Sequence, residues 1–221
     1  MSATPSPGLA LDALELAALL CSRVCHDLIS PAGAILNGLE VFEEDNDAET
    51  KAFAISLIKK SAATASARLK FCRIAFGAAG GVGAQVDLGE AETIARGFME
   101  DEKTKIVWTL PRVLLAKNRV KLVLNMLVVA TQTIPRGGTL TVAPVGDNEA
   151  KGYEAMGFRI TATGTSARIP PAVQALLDGT PENGTVDAHV VQPFYTGLLA
   201  RACGLGVGLE AQGDAIVVST R

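Results

Sequence analysis

Apolar residues recur at helical spacing over the first long stretch of the chain, from about Leu9 to Glu44. This periodicity predicts one helix, about 50 Å long at 1.5 Å per residue, that ends in the acidic run 43–47. Pro31 falls near its middle, where the missing N–H predicts a bend. At 100° per residue one face of the helix is apolar and is formed by Ala17, Val24, Leu28, Ile35, Leu39 and Phe42.

A second helix is predicted from Asp47, a residue type suited to an N-cap, to about Phe76. Two long helices joined by a short turn predict an antiparallel hairpin. One hairpin cannot bury the apolar faces of both helices, so we expect a second copy to complete a four-helix bundle in a homodimer. The alternative is that the hairpin packs on the rest of its own chain. The apolar face of the second helix is formed by Ala54, Ile58, Ala65, Leu69, Cys72 and Phe76.

Residues 77–83 are rich in glycine and lack apolar periodicity, which predicts a linker. A phosphate-binding loop is the alternative, but the Lys-Ser/Thr ending and the preceding strand of a P-loop are missing. Beyond the linker, helical and alternating patterns follow one another. They predict helices over 90–99, 118–134 and 186–202, a short helix between Pro171 and Gly179, and strands over 106–110, 139–143, 158–162, 204–210 and 215–219.

These patterns predict an α+β fold, in which an N-terminal helical hairpin precedes an α/β sandwich with one mixed sheet and helices on one face. The chain then divides into a disordered tail (1–8), a hairpin domain (9–77), a Gly-rich linker (78–86) and a sandwich domain (87–221).

Composition narrows the classes of function. The chain has 221 residues and a net charge of −3, without a basic stripe, so a nucleic-acid partner is not expected. The N-terminal segment lacks the features of a signal peptide, and no apolar run reaches the roughly 18 residues of a membrane span. We therefore expect a cytoplasmic protein that does not enter a membrane. In that compartment the four cysteines are expected to be reduced packing residues, and their spacing predicts no metal site.

His26 is one of two histidines and is predicted to lie opposite the apolar face of the first helix. It shares a stripe of mostly polar or small residues with Ser30, Gly33 and Asn37. This stripe leaves room for a partner to approach the helix closely. A neutral imidazole is a competent nucleophile at pH 7. Arg23, nearly one turn earlier, is predicted to hold a phosphoryl oxygen or a carboxylate of a partner.

The segment His26-Asp27-Leu28-Ile29-Ser30-Pro31 resembles the H-box of two-component sensor kinases, in which an exposed histidine precedes an acidic residue and, five positions on, a proline. Asp27 is expected to keep the imidazole basic. The hairpin followed by the sandwich resembles the dimerisation and phosphotransfer domain of these kinases followed by their ATP-binding domain. The likeness covers nearly the whole chain.

The sandwich departs from those kinases where they bind ATP. Asn125 matches the first asparagine of the kinase asparagine box, whereas Val129 replaces the second. Ala162 stands where the kinases have the aspartate that recognises adenine, and the glycine-rich box beside the ATP lid is reduced to 196–200. An apolar side chain cannot coordinate magnesium. The resemblance implies a degenerate nucleotide site at Asn125, Val129 and Ala162, with weak or absent ATP binding and no cofactor of its own.

With the phosphotransfer features kept and the nucleotide features lost, the chain resembles the ChpT-type histidine phosphotransferases of alphaproteobacterial phosphorelays. The resemblance implies a homodimer that takes a phosphoryl group on His26 from the receiver aspartate of a hybrid histidine kinase. It passes the group to receiver aspartates of response regulators, and the receivers supply Mg²⁺. A kinase with a relaxed nucleotide site, and an adaptor that binds receivers without accepting phosphate, are the alternatives.

A receiver is expected to dock along the first helix, over Ser30, Gly33 and Asn37, although helix packing is an alternative role for Gly33. Arg168 follows the degenerate turn of the sandwich. It either braces a docked receiver or is a solvated surface arginine.

Three other residues are assigned weaker roles. His189 is predicted to be partly buried on the last long helix, and Trp108 is predicted to lie in the core. Asn125 is either a relic of a nucleotide site or a polar packing residue.

Overall fold

A computed structural model describes residues 9, 11–77, 83–146 and 153–221. The predicted tail (1–8) and residues 78–82 of the predicted linker lie outside the described residues. In chain order the elements are α1 (Ala13–Glu44), α2 (Ala48–Ala75), β1 (Gln85–Asp87), α3 (Leu88–Met99), β2 (Thr104–Trp108), β3 (Leu114–Ala116), α4 (Lys117–Gln132), β4 (Gly138–Val145), a short 3₁₀ helix (Tyr153–Ala155), β5 (Gly157–Thr163), α5 (Val173–Asp178), α6 (Val191–Ala202), β6 (Val207–Gln212) and β7 (Ala215–Thr220).

The two predicted long helices pack against each other as a hairpin. The predicted start of α1 near Leu9 is wrong, because a capping box formed by Asp12 and Glu15 begins the helix at Ala13. The helix is continuous through Pro31 and ends at Glu44 as predicted. Asp47 is the N-cap of α2, and its side chain accepts a hydrogen bond from the Thr50 N–H at 2.8 Å.

A five-stranded mixed sheet forms the centre of the C-terminal domain, in the order β2-β4-β5-β7-β6. β2 and β4 are parallel, and the other neighbours are antiparallel. β1 and β3 form a separate antiparallel pair that the sequence pattern does not reveal, since each has only three residues. The end of the predicted linker (78–86) and the residues before the predicted helix (90–99) therefore form β1 and the first residues of α3.

The core of this domain lies between the sheet and α3, α4 and α6. Every residue of α4 from Val120 to Ala130 is buried. Trp108 is only half-buried, because it is the last residue of β2 at the edge of the sheet. The prediction that Trp108 lies in the core is thus wrong, although its ring packs against the core cluster.

The C-terminal end of α2 packs on the same core. Phe71 stacks on Phe98 of α3, with ring centroids 4.0 Å apart, and both Ile74 and Ala75 are buried. The alternative that the hairpin packs on its own chain is therefore correct for this end of the hairpin. Much of the apolar surface of α1 stays exposed, including Leu14, Ile29 and Leu36.

By length and composition, α1 alone among the described residues is apolar enough to cross a membrane. The prediction that no apolar run is long enough for a membrane span therefore does not hold for α1 by this criterion. The indication is weak, because helices that pack in bundles meet the same criterion. Residues His26, Asp27 and Arg23 interrupt this helix with polar groups.

Candidate functional site

His26 lies near the middle of α1 and leaves 72% of its side-chain surface exposed. The prediction of an exposed imidazole on α1 is confirmed. The Nδ1 atom of His26 lies 3.5 Å from Oδ1 of Asp27, at the long limit of a hydrogen bond. In the neutral tautomer that carries its proton on Nδ1, this N–H points to Asp27 and Nε2 keeps its lone pair.

Asp27 is held in place by two arginines. Nε of Arg23 donates to Oδ2 of Asp27 at 3.2 Å, one turn apart on α1. Arg68 of α2 donates to the backbone carbonyl of Asp27 and so ties the two helices together beside the histidine. Arg23 is half-buried and engaged with Asp27. Its predicted role as a partner-binding residue stays a prediction.

His189 lies beside His26, an arrangement that the sequence pattern did not predict. The two rings have centroids 6.0 Å apart and are nearly perpendicular, at 78°. His189 is exposed and precedes α6 in a turn, so the prediction that it is partly buried on a helix is wrong. The helix starts only at Val191, because Asp187 accepts the backbone N–H groups of His189 and Val190 at 2.8 and 3.1 Å and holds the turn.

The polar strip predicted for receiver docking continues along α1 from His26. Ser30 and Asn37 are exposed. A Cβ atom added to Gly33 would meet nothing within 4 Å, so this glycine does not serve helix packing. The packing glycine is Gly38, where an added Cβ would lie 2.7 Å from Cγ1 of Ile58 on α2.

A second surface of α1 is apolar and exposed, and the helical periodicity of the sequence did not predict it. Its members recur at steps of three or four residues, and its middle lies about 100° around the helix from His26 at 3.6 residues per turn. The predicted apolar face is partly covered by α2. The second surface is not covered by α2. This exposed apolar stripe is formed by Leu14, Ala18, Cys21, Cys25, Ile29, Ala32 and Leu36.

Asn125, which was predicted to belong to a degenerate nucleotide site, is fully buried. Its amide nitrogen donates to the carbonyls of Ala75 and Lys121 at 3.1 and 2.8 Å. Its amide oxygen accepts from Nε2 of Gln192 at 2.5 Å. Asn125 is thus a polar packing residue that joins α2, α4 and α6.

The other positions of the degenerate nucleotide site are also buried. The side chains of Val129 and Ala162 have no exposed surface. Gly197 lies against α5, where an added Cβ would be 1.9 Å from the carbonyl oxygen of Leu177. These positions therefore contribute to the core of the domain.

Arg168 is exposed in the loop after β5, where its backbone N–H donates to the carbonyl of Thr133 at 2.9 Å. Within the described part of the chain, Arg168 makes no hydrogen bond, ion pair or ring contact with His26. Its predicted contact with a docked receiver stays a prediction.

The cysteines fit packing roles only in part. Cys72 is buried, and burial together with the nearby charge of Asp27 raises the pKa of its thiol to about 11. Cys21 and Cys25 are exposed on α1, so packing within this chain does not account for them. All four cysteines are free. Among the described residues, no cluster of His, Cys, Asp and Glu is arranged to hold a metal ion.

Comparison with known proteins agrees with this arrangement. Residues 88–215 match the family model described as the histidine phosphotransferase C-terminal domain. The chain is 49% identical over 210 residues to protein phosphotransferase ChpT of Brucella abortus (strain 2308), covering 95% of this chain and 96% of that protein.

The chain is also similar to solved structures. A bacterial phosphotransferase structure at 1.7 Å matches with a TM-score of 0.85 and 46% identity, covering 98% of this chain and 100% of that chain. The histidine kinase domain of a blue-light-activated kinase from Erythrobacter litoralis matches with a TM-score of 0.46 and 15% identity, covering 86% of this chain and 94% of that chain. The chain belongs to the histidine phosphotransferase family, and it is a phosphotransferase.

Proposed function

We propose that the protein relays a phosphoryl group between receiver domains in the cytoplasm. His26 takes the group from the receiver aspartate of a hybrid histidine kinase and gives it to receiver aspartates of response regulators. The exposed imidazole, oriented by Asp27 on a helix that a partner can reach, is the observation that carries the proposal. Asp27 is in turn fixed by Arg23.

The transfer step follows from the orientation of the imidazole. The lone pair of Nε2 of His26 forms the N–P bond while the P–O bond of the phosphoaspartate breaks, and the electron pair leaves on the receiver carboxylate. Asp27 stabilises the positive charge that develops on the ring, and its hydrogen bond fixes the orientation of the ring. The receiver contributes Mg²⁺ to neutralise the phosphoryl oxygens. The reverse sequence discharges His26 to the next receiver.

The open strip along α1 is our proposed docking surface for receivers. Ser30 and Asn37 offer polar groups, and Gly33 lets the partner approach the helix backbone closely. Arg168 extends the same contact from the C-terminal domain. A relay needs partners that leave, which favours a modest and transient interface.

We propose that the protein does not take its phosphate from ATP. Asn125 has its amide committed to three hydrogen bonds and has no exposed surface, so it is not available to a magnesium ion. Val129 and Ala162 offer no ligand atoms on their side chains and are buried. The protein then needs no cofactor of its own.

We further propose that two copies pair through the exposed apolar stripe of α1. A stripe at steps of three and four residues is the pattern by which helices pack in bundles. Ile29 and Leu36 are 69% and 61% exposed in the single chain, which is unfavourable for a lone helix in water. Cys21 and Cys25 gain a packing role in this dimer. The stripe lies to one side of His26, so pairing leaves the histidine open.

Incubation with two phosphate sources tests the proposed function. The purified protein is exposed to a phosphorylated receiver of a hybrid kinase, and separately to radiolabelled ATP with Mg²⁺. We expect label from the receiver on the native protein and none on His26→Ala. Label from ATP alone would support a kinase instead, and no label from any receiver would support an adaptor. Label retained by His26→Ala would show that another residue accepts the phosphoryl group.

A further inference from the structure

The second histidine is the feature of the site that the proposed function leaves unexplained. His189 comes from the C-terminal domain, whereas His26 belongs to the hairpin, and the fold brings their rings to a centroid distance of 6.0 Å. The chain has only these two histidines. Their contact therefore joins the two domains at the phosphoacceptor itself.

The backbone presents His189 in a fixed position. Asp187 accepts the N–H groups of His189 and Val190, which sets the turn. The helix that follows is anchored at once, since Val191 and Gln192 are buried and Gln192 is hydrogen-bonded to Asn125. The turn that carries His189 is thus tied to the core through Val191, Gln192 and Asn125.

The side chain of His189 is uncommitted. Within the described residues, neither of its ring nitrogens has a hydrogen-bond partner, and its one ring contact is with His26. Nδ1 of His26, by contrast, faces Asp27, so a phosphoryl group on His26 is carried by Nε2. A phosphoryl group on that atom projects from the imidazole and brings three strong acceptor oxygens into the neighbourhood of His189.

We propose that His189 is a second functional histidine of the phosphotransfer site: it donates an N–H hydrogen bond to a phosphoryl oxygen carried on, or moving to, His26. This inference rests on the proposed relay. The N–P and P–O bonds form and break as described above, and His189 keeps its proton throughout. A donor held rigidly against the phosphoryl group lowers the barrier because it needs no reorganisation during transfer.

Three substitutions separate this role from simple ring packing. His189→Ala removes the ring and the donor, His189→Phe keeps a ring without a donor, and His189→Gln keeps an N–H donor without the ring. His189 is exposed, so we expect all three to fold with unchanged melting temperature. Rates of transfer from a phosphorylated receiver are measured at saturating receiver, together with the ³¹P NMR shift of phosphorylated His26.

Loss of one hydrogen bond to a charged group predicts that His189→Ala and His189→Phe slow transfer by about tenfold to a hundredfold. His189→Gln is expected to stay within about threefold of the native rate. The ³¹P shift is expected to change in the Ala and Phe variants but to stay near the native value in the Gln variant. A purely structural role of His189 would not move this signal.

Four outcomes would overturn the assignment. A native rate for His189→Phe would reduce the contact to ring packing, and a native rate for His189→Ala would remove any role. Equal losses in His189→Gln and His189→Ala would exclude the donor role. Failure of the native protein to accept label from any receiver would overturn the relay itself and the inference with it, whereas label on native protein with unaffected variants would overturn only the inference.

Discussion

The hairpin and the C-terminal domain use apolar residues in opposite ways. Within the 32-residue α1 only Pro31 and Gly38 are buried, and a stripe of apolar side chains faces outward. Within the 16-residue α4 eleven consecutive residues are buried, from Val120 to Ala130. Most apolar side chains of α1 thus lie on the surface of the single chain, whereas those of α4 form a core.

This difference explains where the chemistry lies. His26, the proposed phosphoacceptor, lies on the exposed helix α1, whereas the residues predicted for a degenerate nucleotide site pack inside the C-terminal domain. The C-terminal domain still contacts the region of His26, because Asn125 is hydrogen-bonded to α2 and the ring of His189 lies beside that of His26. In the proposed relay, this domain positions groups around His26.

A charged residue introduced into the exposed apolar stripe should have the largest effect, which is on the pairing of two hairpins. Leu36→Glu introduces a carboxylate into the proposed seam between two copies, and the two-fold symmetry doubles the penalty. We expect the dimer to weaken by more than about a hundredfold, since burial of an unpaired charge costs several kcal/mol. Sedimentation equilibrium at micromolar concentration measures the change.

The matched control is Leu114→Glu, which changes the same residue type at a site 58% exposed on β3. This variant is expected to remain dimeric. Native protein that sediments as a monomer, or equal weakening by the two substitutions, would contradict the proposed seam.

Removing the amide of Asn125 tests the closed core of the C-terminal domain. Asn125→Ala leaves two carbonyls and the amide of Gln192 without their buried partner. We expect the free energy of unfolding to fall by about 2–3 kcal/mol. Urea denaturation measures it, and Asn118→Ala, exposed on the same helix, is expected to change it by less than about 0.5 kcal/mol. Equal effects of the two substitutions would contradict the packing role.

Two glycines of α1 separate packing from docking within the hairpin. Gly38→Ala forces a methyl group against Ile58 and should lower stability by about 1–2 kcal/mol. Gly33→Ala has open space and should raise stability by up to about 1 kcal/mol, because alanine favours the helix. Thermal denaturation measures both effects.

In transfer assays the substitution with the harmful effect should be the other one of the two. Gly33→Ala should slow transfer from a receiver, since the methyl group occupies the docking strip, while the folded Gly38→Ala protein should transfer normally. Normal transfer by Gly33→Ala would remove this glycine from the docking surface.

Local patterns predicted much of the fold. Apolar periodicity gave both long helices, and Asp47 marked the start of α2 correctly. The predicted start of α1 failed because the capping box of Asp12 and Glu15 outweighs the apolar residues before it. The pair β1–β3 has too few residues to show an alternating pattern.

The exposure of His26 was predictable, since it follows from the position of the residue on α1 opposite the apolar face. Its contact with Asp27 was not, because adjacent side chains on a helix do not ordinarily point at each other. The approach of His189 was not, because it depends on how a turn 163 residues later along the sequence is packed against the hairpin. The exposed apolar stripe was missed for a related reason. Which face of α1 meets α2 is set by the close approach at Gly38, and periodicity does not reveal it.

The most direct test of the relay follows one labelled phosphoryl group through the protein. A receiver carrying radiolabelled phosphate is mixed with native protein, and an unlabelled second receiver is then added. The relay predicts that label appears on His26, leaves it as the second receiver becomes labelled, and reaches neither protein when His26→Ala is used. Label on the second receiver in the presence of His26→Ala, or label on native protein from ATP alone, would contradict the account.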